Sequence, residues 1–492
     1  MSKPRVILAD CPDYDPARIR AIVRAGLDAL GDPPAGRVLV KPNGVIAHRE
    51  FFRHPCTRAE FLDGVLGAVR DTARDMTELA VGERCGITVP TRMVFTEAGW
   101  DPVIRRHRAK RYFFEEEVQT EVRLSREPRL RDFLYTPEPV ARADYFVNCP
   151  KFKAHPWTTV TFALKNLIGI QHDPDRLIDH DFALDDKIAD LQEIVRQRFI
   201  AIDAIVGGQD RMLTPNPFEL GMIVMGNNPV AVDATCCRIL GLDPAGIGHI
   251  AAAHRKGFGP MDPDAIDVAG DLTLEAARSR ARGFRTGLIR VENYFAGTKV
   301  TAHAGPPPAP GGDYCWGGCP GALEEAIEIV RQVDPRTDER MKPLTVVFGA
   351  YPGDLSPRPG EPVVFVGDCA KWRGEIAGQP VAEESRYRDR STHNPHCARS
   401  DDIFVKMLKT TWRLLRRRGK PAVRIPGCPV SVAENALFLS TLGGTRNPYL
   451  QPATIVPFMR AYLTSMAVRA FKRLRGQRSR RPAGRPAAGT GP

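Results

Sequence analysis

The chain lacks several features that would place it outside the class of cytoplasmic globular proteins. It has no run of about eighteen apolar residues, the length that a membrane-spanning helix needs, so no such helix is predicted. Its first segment, "MSKPRVILADCPDYD", has no apolar signal core, and we therefore expect a cytoplasmic protein rather than a secreted one. Eleven cysteines in such a chain indicate metal binding or ordinary burial rather than a disulfide framework.

Acidic residues are absent from the segment between Arg469 and Arg485, which is rich in arginine and lysine. The net charge of +12 owes much to this segment, and the rest of the chain is only mildly basic. We therefore predict no specific nucleic-acid binding. A basic C-terminal segment is typical of a solvated extension or of a contact with a membrane surface.

The 492 residues are too many for one ordinary core, so two or three domains are expected. Strand-like runs such as "RVILAD", "RVLVKPNG" and "ADYFVNCPK" alternate with helical patterns. This alternation predicts two α/β domains with largely parallel sheets. We expect an α/β domain with the substrate cleft over residues 1–300, a Pro/Gly linker over 301–313, a metal-binding α/β module over 314–450, a basic amphipathic helix over 451–475 and a disordered basic tail over 476–492.

The stretch "NCPKFKAHPWTTVTFALKNLIGI" follows a predicted strand and combines lysines with a histidine. Ligands of α/β proteins bind at the carboxyl ends of strands, where other polar residues also lie in this sequence. Such a group either receives a carboxylate or phosphate, or is a solvated loop with one snorkelling lysine. The candidate cleft residues are Lys41, Asn43, Lys151, Lys153, His155, Lys165, Asn166, Asp203 and Asp233.

The motifs "VLVKPN", "ADYFVNCPKFKAH", "TFALKNLIG", "AIDAIVGGQDRM" and "MGNNPVAVDATCCRILGLDP" resemble, in order and spacing, those of the domain-of-unknown-function 362 family. The resemblance covers about residues 5–270. It implies that the nine candidate cleft residues correspond to the family's motif positions. Members of this family are often joined to iron–sulfur modules. Many of these modules carry ferredoxin-like cysteine runs, in which two residues separate successive cysteines. This sequence has no such run.

Four cysteines of the second predicted domain lie in glycine- or proline-rich turns: Cys315, Cys319, Cys369 and Cys428. Cys369 and Cys428 each follow a predicted strand, and if these strands are parallel neighbours their turns lie side by side. Cys315 and Cys319 precede the predicted helix "GALEEAIE". Four thiolates are what a [4Fe–4S] cluster needs. Zinc and unligated thiols are the alternatives, and Cys397 or His396 is an alternative ligand.

The turns "GDCA" and "PGCP" are similar to those around the proximal cluster of hydrogenase small subunits. The resemblance implies a [4Fe–4S] site in residues 314–450. The segment with Cys315 and Cys319 departs from the hydrogenase pattern, because three residues separate these two cysteines. The ligand role of one of these two thiols is therefore less well defined than those of Cys369 and Cys428.

The segment "DIFVKMLKTTWRLLRRRGK" predicts an amphipathic helix with Phe404, Met407, Leu408 and Leu415 on one face. We expect it to pack on the sheet. The alternative is that its basic face binds an acidic electron donor, such as a ferredoxin or flavodoxin, or an anionic membrane.

These features together favour an iron–sulfur redox enzyme that delivers electrons to a small anionic substrate. His155, Lys165 and Lys151 are the candidate catalytic residues, with His155 or Lys165 as proton donor. The other cleft residues would bind the substrate. Two alternatives stay open: a non-redox metalloenzyme or transferase with a structural C-terminal metal, and an electron-transfer or scaffold protein without its own substrate.

Overall fold

The computed structural model describes residues 3–475 except 49, 53, 87, 88, 172–174, 177, 181, 288, 309–311, 317, 388–402, 418, 448 and 449. Within this part of the chain, no helix is both long and apolar enough to cross a membrane. The predicted α/β class with largely parallel sheets is confirmed. The predicted disordered tail and the alternative ligands Cys397 and His396 lie outside the described residues.

The first unit is built on a large mixed sheet. Its strands follow the order β12-β1-β11-β10-β7-β2-β3-β4, with β8 on β10 and β9 on β8, while β5 and β6 form a separate antiparallel pair. The strands are β1 (Arg5–Asp10), β2 (Gly36–Pro42), β3 (Met76–Glu83), β4 (Lys110–Phe113), β5 (Gln119–Arg123), β6 (Phe133–Pro137), β7 (Tyr145–Cys149), β8 (Lys151–His155), β9 (Thr159–Thr161), β10 (Gln197–Gln209), β11 (Asn216–Gly226) and β12 (Asp267–Gly270).

Helices cover both faces of this sheet, and apolar clusters on the two sides fill the space between the layers. The helices are α1 (Pro16–Leu30), α2 (Ala59–Thr72), α3 (Thr91–Glu97), α4 (Trp100–Arg106), α5 (Glu138–Ala141), α6 (Ala163–Asn166), α7 (Leu184–Leu191), α8 (Pro229–Ile239), α9 (Gly248–Arg255) and α10 (Leu274–Arg280). The short helix α11 (Val291–Tyr294) follows them in the chain and packs outside this sheet, against the strand Val300–Ala304. The central strands β2, β3 and β7 run parallel, so their carboxyl ends meet at one edge.

The second unit is a smaller sheet in which β13, β14, β15 and β17 run parallel and β16 is antiparallel to β15. Its strands are β13 (Val300–Ala304), β14 (Leu344–Ala350), β15 (Val363–Ile376), β16 (Gln379–Glu383) and β17 (Ala422–Ile425). The helices of this part of the chain are α12 (Cys319–Val333), α13 (Thr337–Arg340), α14 (Ile403–Leu415), α15 (Val432–Gly443) and α16 (Pro452–Leu474).

Two segments differ from their predicted structure. Residues 301–304, assigned to the linker, belong to β13, because this short run pairs with β14 along its whole length. On α14 the predicted packing face is wrong. Thr410 and Leu414 are buried, with Met407 partly buried beside them, whereas Phe404, Leu408 and Leu415 are exposed.

The two units meet where α12 packs against the loop that follows β10. The backbone N–H groups of Met212 and Leu213 donate to the two carboxylate oxygens of Glu325 at 2.8 and 3.0 Å. Arg211 forms a buried ion pair with Glu324. These contacts fix the N-terminal half of α12, which begins at Cys319, beside the large sheet.

Candidate functional site

A cavity of about 160 Å³ lies between the two units, at the carboxyl ends of β2 and β3. A cavity of about 150 Å³ accommodates a molecule of benzene's size, so this one suits a small ligand. The first unit supplies nearly all of the polar groups in its wall. The lining includes six predicted cleft residues: Lys41, Asn43, Lys153, His155, Lys165 and Asn166.

Lys41 and Glu83 form a buried ion pair in the cavity wall. Lys41 Nζ donates to Glu83 Oε2 at 2.7 Å, and the backbone N–H groups of Gly44 and Arg84 donate to the same carboxylate at 3.1 and 2.8 Å. Burial lowers the pKa of Lys41 and raises that of Glu83. The pair holds the ends of β2 and β3 together, and it neutralises most of the charge that Lys41 would offer a ligand.

Lys151 and Lys153 are alternate residues of β8, yet they face different surroundings. Lys151 Nζ donates to Asp203 Oδ2 and to the Tyr14 hydroxyl, both at 2.8 Å, outside the cavity wall. Lys153 Nζ lines the cavity and donates to the carbonyls of Pro55 and Met212. The register of β8 on β10 shifts between Asp203 and Gly208, so the strands diverge between the two lysines. The predicted grouping of Lys151 with Lys153 and His155 is therefore wrong.

His155 presents a ring nitrogen to the cavity without a partner. Its Nδ1 accepts a hydrogen bond from the Trp157 backbone N–H at 3.1 Å, which assigns the proton of the neutral ring to Nε2. Among the described residues Nε2 has no hydrogen-bond partner, although His155 is only 2% exposed. Burial and the nearby cations keep the pKa of His155 well below its usual range. The side chain is thus an uncharged hydrogen-bond donor.

Lys165 lies in α6 and also lines the cavity. Burial, and then repulsion by Lys153 and Arg176, lowers the pKa of Lys165 to about 7. The pKa of Lys153 falls to about 8, mainly through burial. Both amines can therefore gain or lose a proton near neutral pH.

The remaining predicted cleft residues support the wall or lie behind it. Asn166 donates through Nδ2 to Asn148 Oδ1 at 2.7 Å, while Asn43 Oδ1 is buried without a partner among the described residues. Asp233 and Asp203 lie outside the lining, contrary to the prediction. Asp233 accepts from the N–H groups of Ala163 and Leu164 at 2.8 and 2.9 Å and so caps α6, while Asp203 holds Lys151.

The predicted metal-ligand cysteines come from three separate parts of the second unit: the start of α12, strand β15 and the segment after β17. Cys319 begins α12, Cys369 follows Gly367 in β15, and Cys428 follows β17. The sulfurs of Cys319 and Cys369 both face Gly367, 3.3 and 3.6 Å from the point that a Cβ there would occupy. Charge on Cys369, and to a smaller extent on Cys315, would raise the pKa of Cys319, which burial already raises well above its usual range. The thiols of Cys315, Cys319 and Cys369 therefore share one region.

These thiols do not converge on a single point. Among the described residues, no three His, Cys, Asp or Glu side chains are arranged to hold one metal ion. A zinc site would need its four ligands about 2.0–2.3 Å from one centre. A polynuclear cluster is larger, and its ligands stand further apart. The backbone N–H of Val430 donates to Cys319 Sγ at 3.2 Å, a contact typical of sulfur ligands in such clusters.

Several cavity residues carried no clear signal in the sequence. Arg176 and His180 lie in "HDPDRLIDHD", a charged stretch that closely follows Lys165, and their types alone could have suggested a role. The second unit contributes mainly apolar groups, which the sequence does not distinguish from core. They are Ala322, Ile329, Pro429, Val430, Val432, Ala433 and Ala436, beside the polar Ser431.

The family match lies within the first unit. Residues 38–238 match the family described as a domain of unknown function (DUF362). This confirms the predicted resemblance over those residues, which include all nine candidate cleft positions. The matched residues end before the cysteine-bearing unit, so its resemblance to hydrogenase small subunits stays a prediction.

One relative and one solved structure are similar to parts of the chain. A thylakoid-associated protein of Synechocystis sp. is 26% identical over 290 residues, which is 56% of this chain and 84% of the relative. The structure of the lactate racemase apoprotein of Thermoanaerobacterium thermosaccharolyticum aligns with 71% of this chain and over 71% of its own length. The sequence identity is 11% and the TM-score is 0.34. That score is too low to support a functional argument.

Proposed function

We propose that the chain is an iron–sulfur redox enzyme that reduces a small organic anion held in the cavity between the two units. The observation that carries the proposal is the loop formed by residues 428–430. Cys428 is one of the candidate ligands, Pro429 and Val430 line the cavity, and the Val430 N–H donates to the sulfur of Cys319. One tripeptide therefore joins the cysteine region to the ligand site.

The charge of the cavity supports an anionic ligand. Lys41 is paired with Glu83 and Arg84 lies 3.9 Å from Glu115, so the cationic character of the described wall comes mainly from Lys153 and Lys165. An anion beside Lys165 would reduce the repulsion that lowers the pKa of that lysine. The cavity is small, so the ligand is a compact carboxylate or phosphate rather than a nucleotide.

The roles of His155 and Lys165 differ in this proposal. Lys165, with a pKa of about 7, can hold a proton for the substrate and release it at neutral pH. His155 is neutral and donates a hydrogen bond from Nε2, which orients an oxygen of the substrate. Lys151 has no catalytic part, because its ammonium is bound to Asp203 and Tyr14.

The donor set fits a [4Fe–4S] cluster held by Cys315, Cys319, Cys369 and Cys428. Two observations support this donor set: the sulfurs of Cys319 and Cys369, from separate elements, both face Gly367, and the Val430 backbone N–H donates to Cys319 Sγ. When bound, such a cluster supplies single electrons. A small carrier such as a ferredoxin or flavodoxin would deliver them to the protein.

The test is whether the ligand site and the metal site communicate. The protein, purified without oxygen and reduced with dithionite, is titrated with acetate and propionate while its electron paramagnetic resonance spectrum is recorded. We expect the anions to change the spectrum of the wild-type protein and to have no effect on Lys165→Met. An iron–sulfur spectrum that neither anion alters in the wild-type protein would contradict the proposal.

A further inference from the structure

Helices α14 and α16 carry an unusual exposed surface at the C-terminal end of the described chain. On α14 the exposed apolar side chains follow one another at helical spacing: Phe404, Val405, Leu408, Trp412 and Leu415. On α16 they are Val456, Leu463, Met466, Phe471 and Leu474. Leu408, Trp412 and Leu463 are 56–57% exposed and Leu474 is 87% exposed. Scattered single apolar residues are normal on protein surfaces, but two helices with continuous apolar rows are not.

The two rows belong to one surface. The aromatic rings of Phe404 and Tyr462 lie 5.8 Å apart, so the start of α14 contacts the middle of α16. Each helix is held to the protein by its other side. Thr410 and Leu414 of α14 are buried, and Phe458 of α16 packs against the core of the first unit. The apolar rows therefore face outward as a consequence of the packing, and we call them together the α14–α16 surface.

The charge on these helices has one sign. Neither sequence contains an aspartate or glutamate. The basic residues are Lys406, Lys409 and Arg413 on α14 and the exposed Arg460 and Arg473 on α16, whereas Arg469 and Lys472 lie toward the packed side of α16. Lys472 also pairs with Glu117 at 2.7 Å, which fixes the end of α16 to the first unit.

We propose that the α14–α16 surface binds the face of an anionic lipid bilayer. Helices that lie in a membrane interface combine Leu, Phe and Trp on one face with Lys and Arg beside them, as these helices do. Trp412 is suited to the headgroup level, where tryptophan is enriched. A second copy of the chain does not fit, because it would set two groups of cations against each other. The surface is independent of the proposed chemistry and of the cavity.

The experiment uses the full chain and sedimentation with vesicles. One set of vesicles is phosphatidylcholine, and the other contains one third phosphatidylglycerol. We expect binding to the anionic vesicles at low salt, weaker binding at high salt, and little binding to phosphatidylcholine alone. Replacing Trp412 and Leu463 together by serine should weaken binding by about tenfold or more, because it removes apolar area from the contact. The double variant Phe182→Ser/Ile289→Ser, which removes exposed apolar residues elsewhere, is the matched control.

A second readout identifies the part of the surface that enters the lipid. Of the five tryptophans, Trp412 is exposed, Trp100 and Trp372 are buried, and Trp157 and Trp316 are partly buried. Brominated lipids should therefore quench a component of the fluorescence that is missing from Trp412→Ser. Three results would overturn the proposal. They are failure of the wild-type chain to sediment with anionic vesicles, equal binding by the Trp412/Leu463 variant and the wild type, and preference of the surface for an acidic ferredoxin over vesicles. Equal binding by the serine variant would assign the attraction to the basic residues after Leu474.

Discussion

Individual side chains of the cavity have properties that follow from burial as much as from residue type. Lys41, Lys151, Lys153 and Lys165 are all buried lysines. Lys41 and Lys151 are paired with carboxylates, whereas Lys153 and Lys165 form no ion pair with any described residue. The sequence indicates a group of lysines at strand ends. It does not indicate which of them has a carboxylate partner, because Glu83 and Asp203 come from distant strands. Only the unpaired lysines are suited to a ligand.

The stability of the protein should depend on pH through Lys165. Its pKa is about 7 in the folded chain and about 10.4 in an unfolded one, so between these values the unfolded chain binds more protons. The free energy of unfolding then rises with pH by up to about 1.4 kcal/mol per pH unit from this residue. Lys165→Met should make the slope shallower by that amount between pH 7.5 and 9.5, measured by urea unfolding. The exposed Lys299→Met should leave the slope unchanged, and a slope unaffected by Lys165→Met would show that this lysine is not desolvated.

The ion pair between Arg211 and Glu324 should matter more than a neighbouring surface pair. Both side chains are buried, and burial raises the pKa of Glu324 to about 7 even with Arg211 beside it. Arg211→Met leaves that carboxyl without its partner and should cost about 3–5 kcal/mol. Arg285→Met breaks the exposed pair with Asp210 and should cost about 0–1 kcal/mol. Calorimetric melting compares the two, and equal losses would contradict a buried contact between the units.

At the scale of elements, the positions of the strands and helices could be predicted from the sequence. The surfaces against which they pack could not. The runs "RVILAD", "RVLVKPNG" and "ADYFVNCPK" are β1, β2 and β7, because β-branched and aromatic residues bounded by turns specify a buried strand. The outward apolar row of α14 was mispredicted, because helical periodicity finds an apolar face without showing which face is covered. The register shift between β8 and β10 likewise has no local signal, and it removes Lys151 from the site.

The first turn of α12 should not tolerate a side chain at Gly321. A Cβ there would lie 1.7 Å from Trp157 Nε1, so the helix approaches the indole more closely than alanine allows. Although alanine favours helices, Gly321→Ala should cost about 1–3 kcal/mol through overpacking and should displace Cys319. Gly246→Ala, which meets no atom within 4 Å, should be within about 0.5 kcal/mol of the wild type. Thermal melting and iron content measure both effects, and a stable, fully loaded Gly321→Ala protein would argue against this contact.

At the scale of the whole molecule, the site exists because the two units are packed together. The first unit supplies the cations, and α12, α15 and the loop after Cys428 close the cavity. The sequence predicted a cleft in one domain and a metal site in the other. It could not predict that they adjoin, because the contact depends on Glu325 binding the backbone of Met212 and Leu213, far away in the chain.

The central claim is that the cysteine region holds an iron–sulfur cluster beside the cavity. The most direct test is iron, sulfide and zinc analysis of protein purified without oxygen, together with its visible spectrum. We expect a brown protein with about four irons and about four sulfides per chain, reduced in Cys369→Ser and Cys428→Ser but retained in Cys237→Ser, a buried cysteine of α8. A folded, colourless protein with one zinc or no metal would contradict the account.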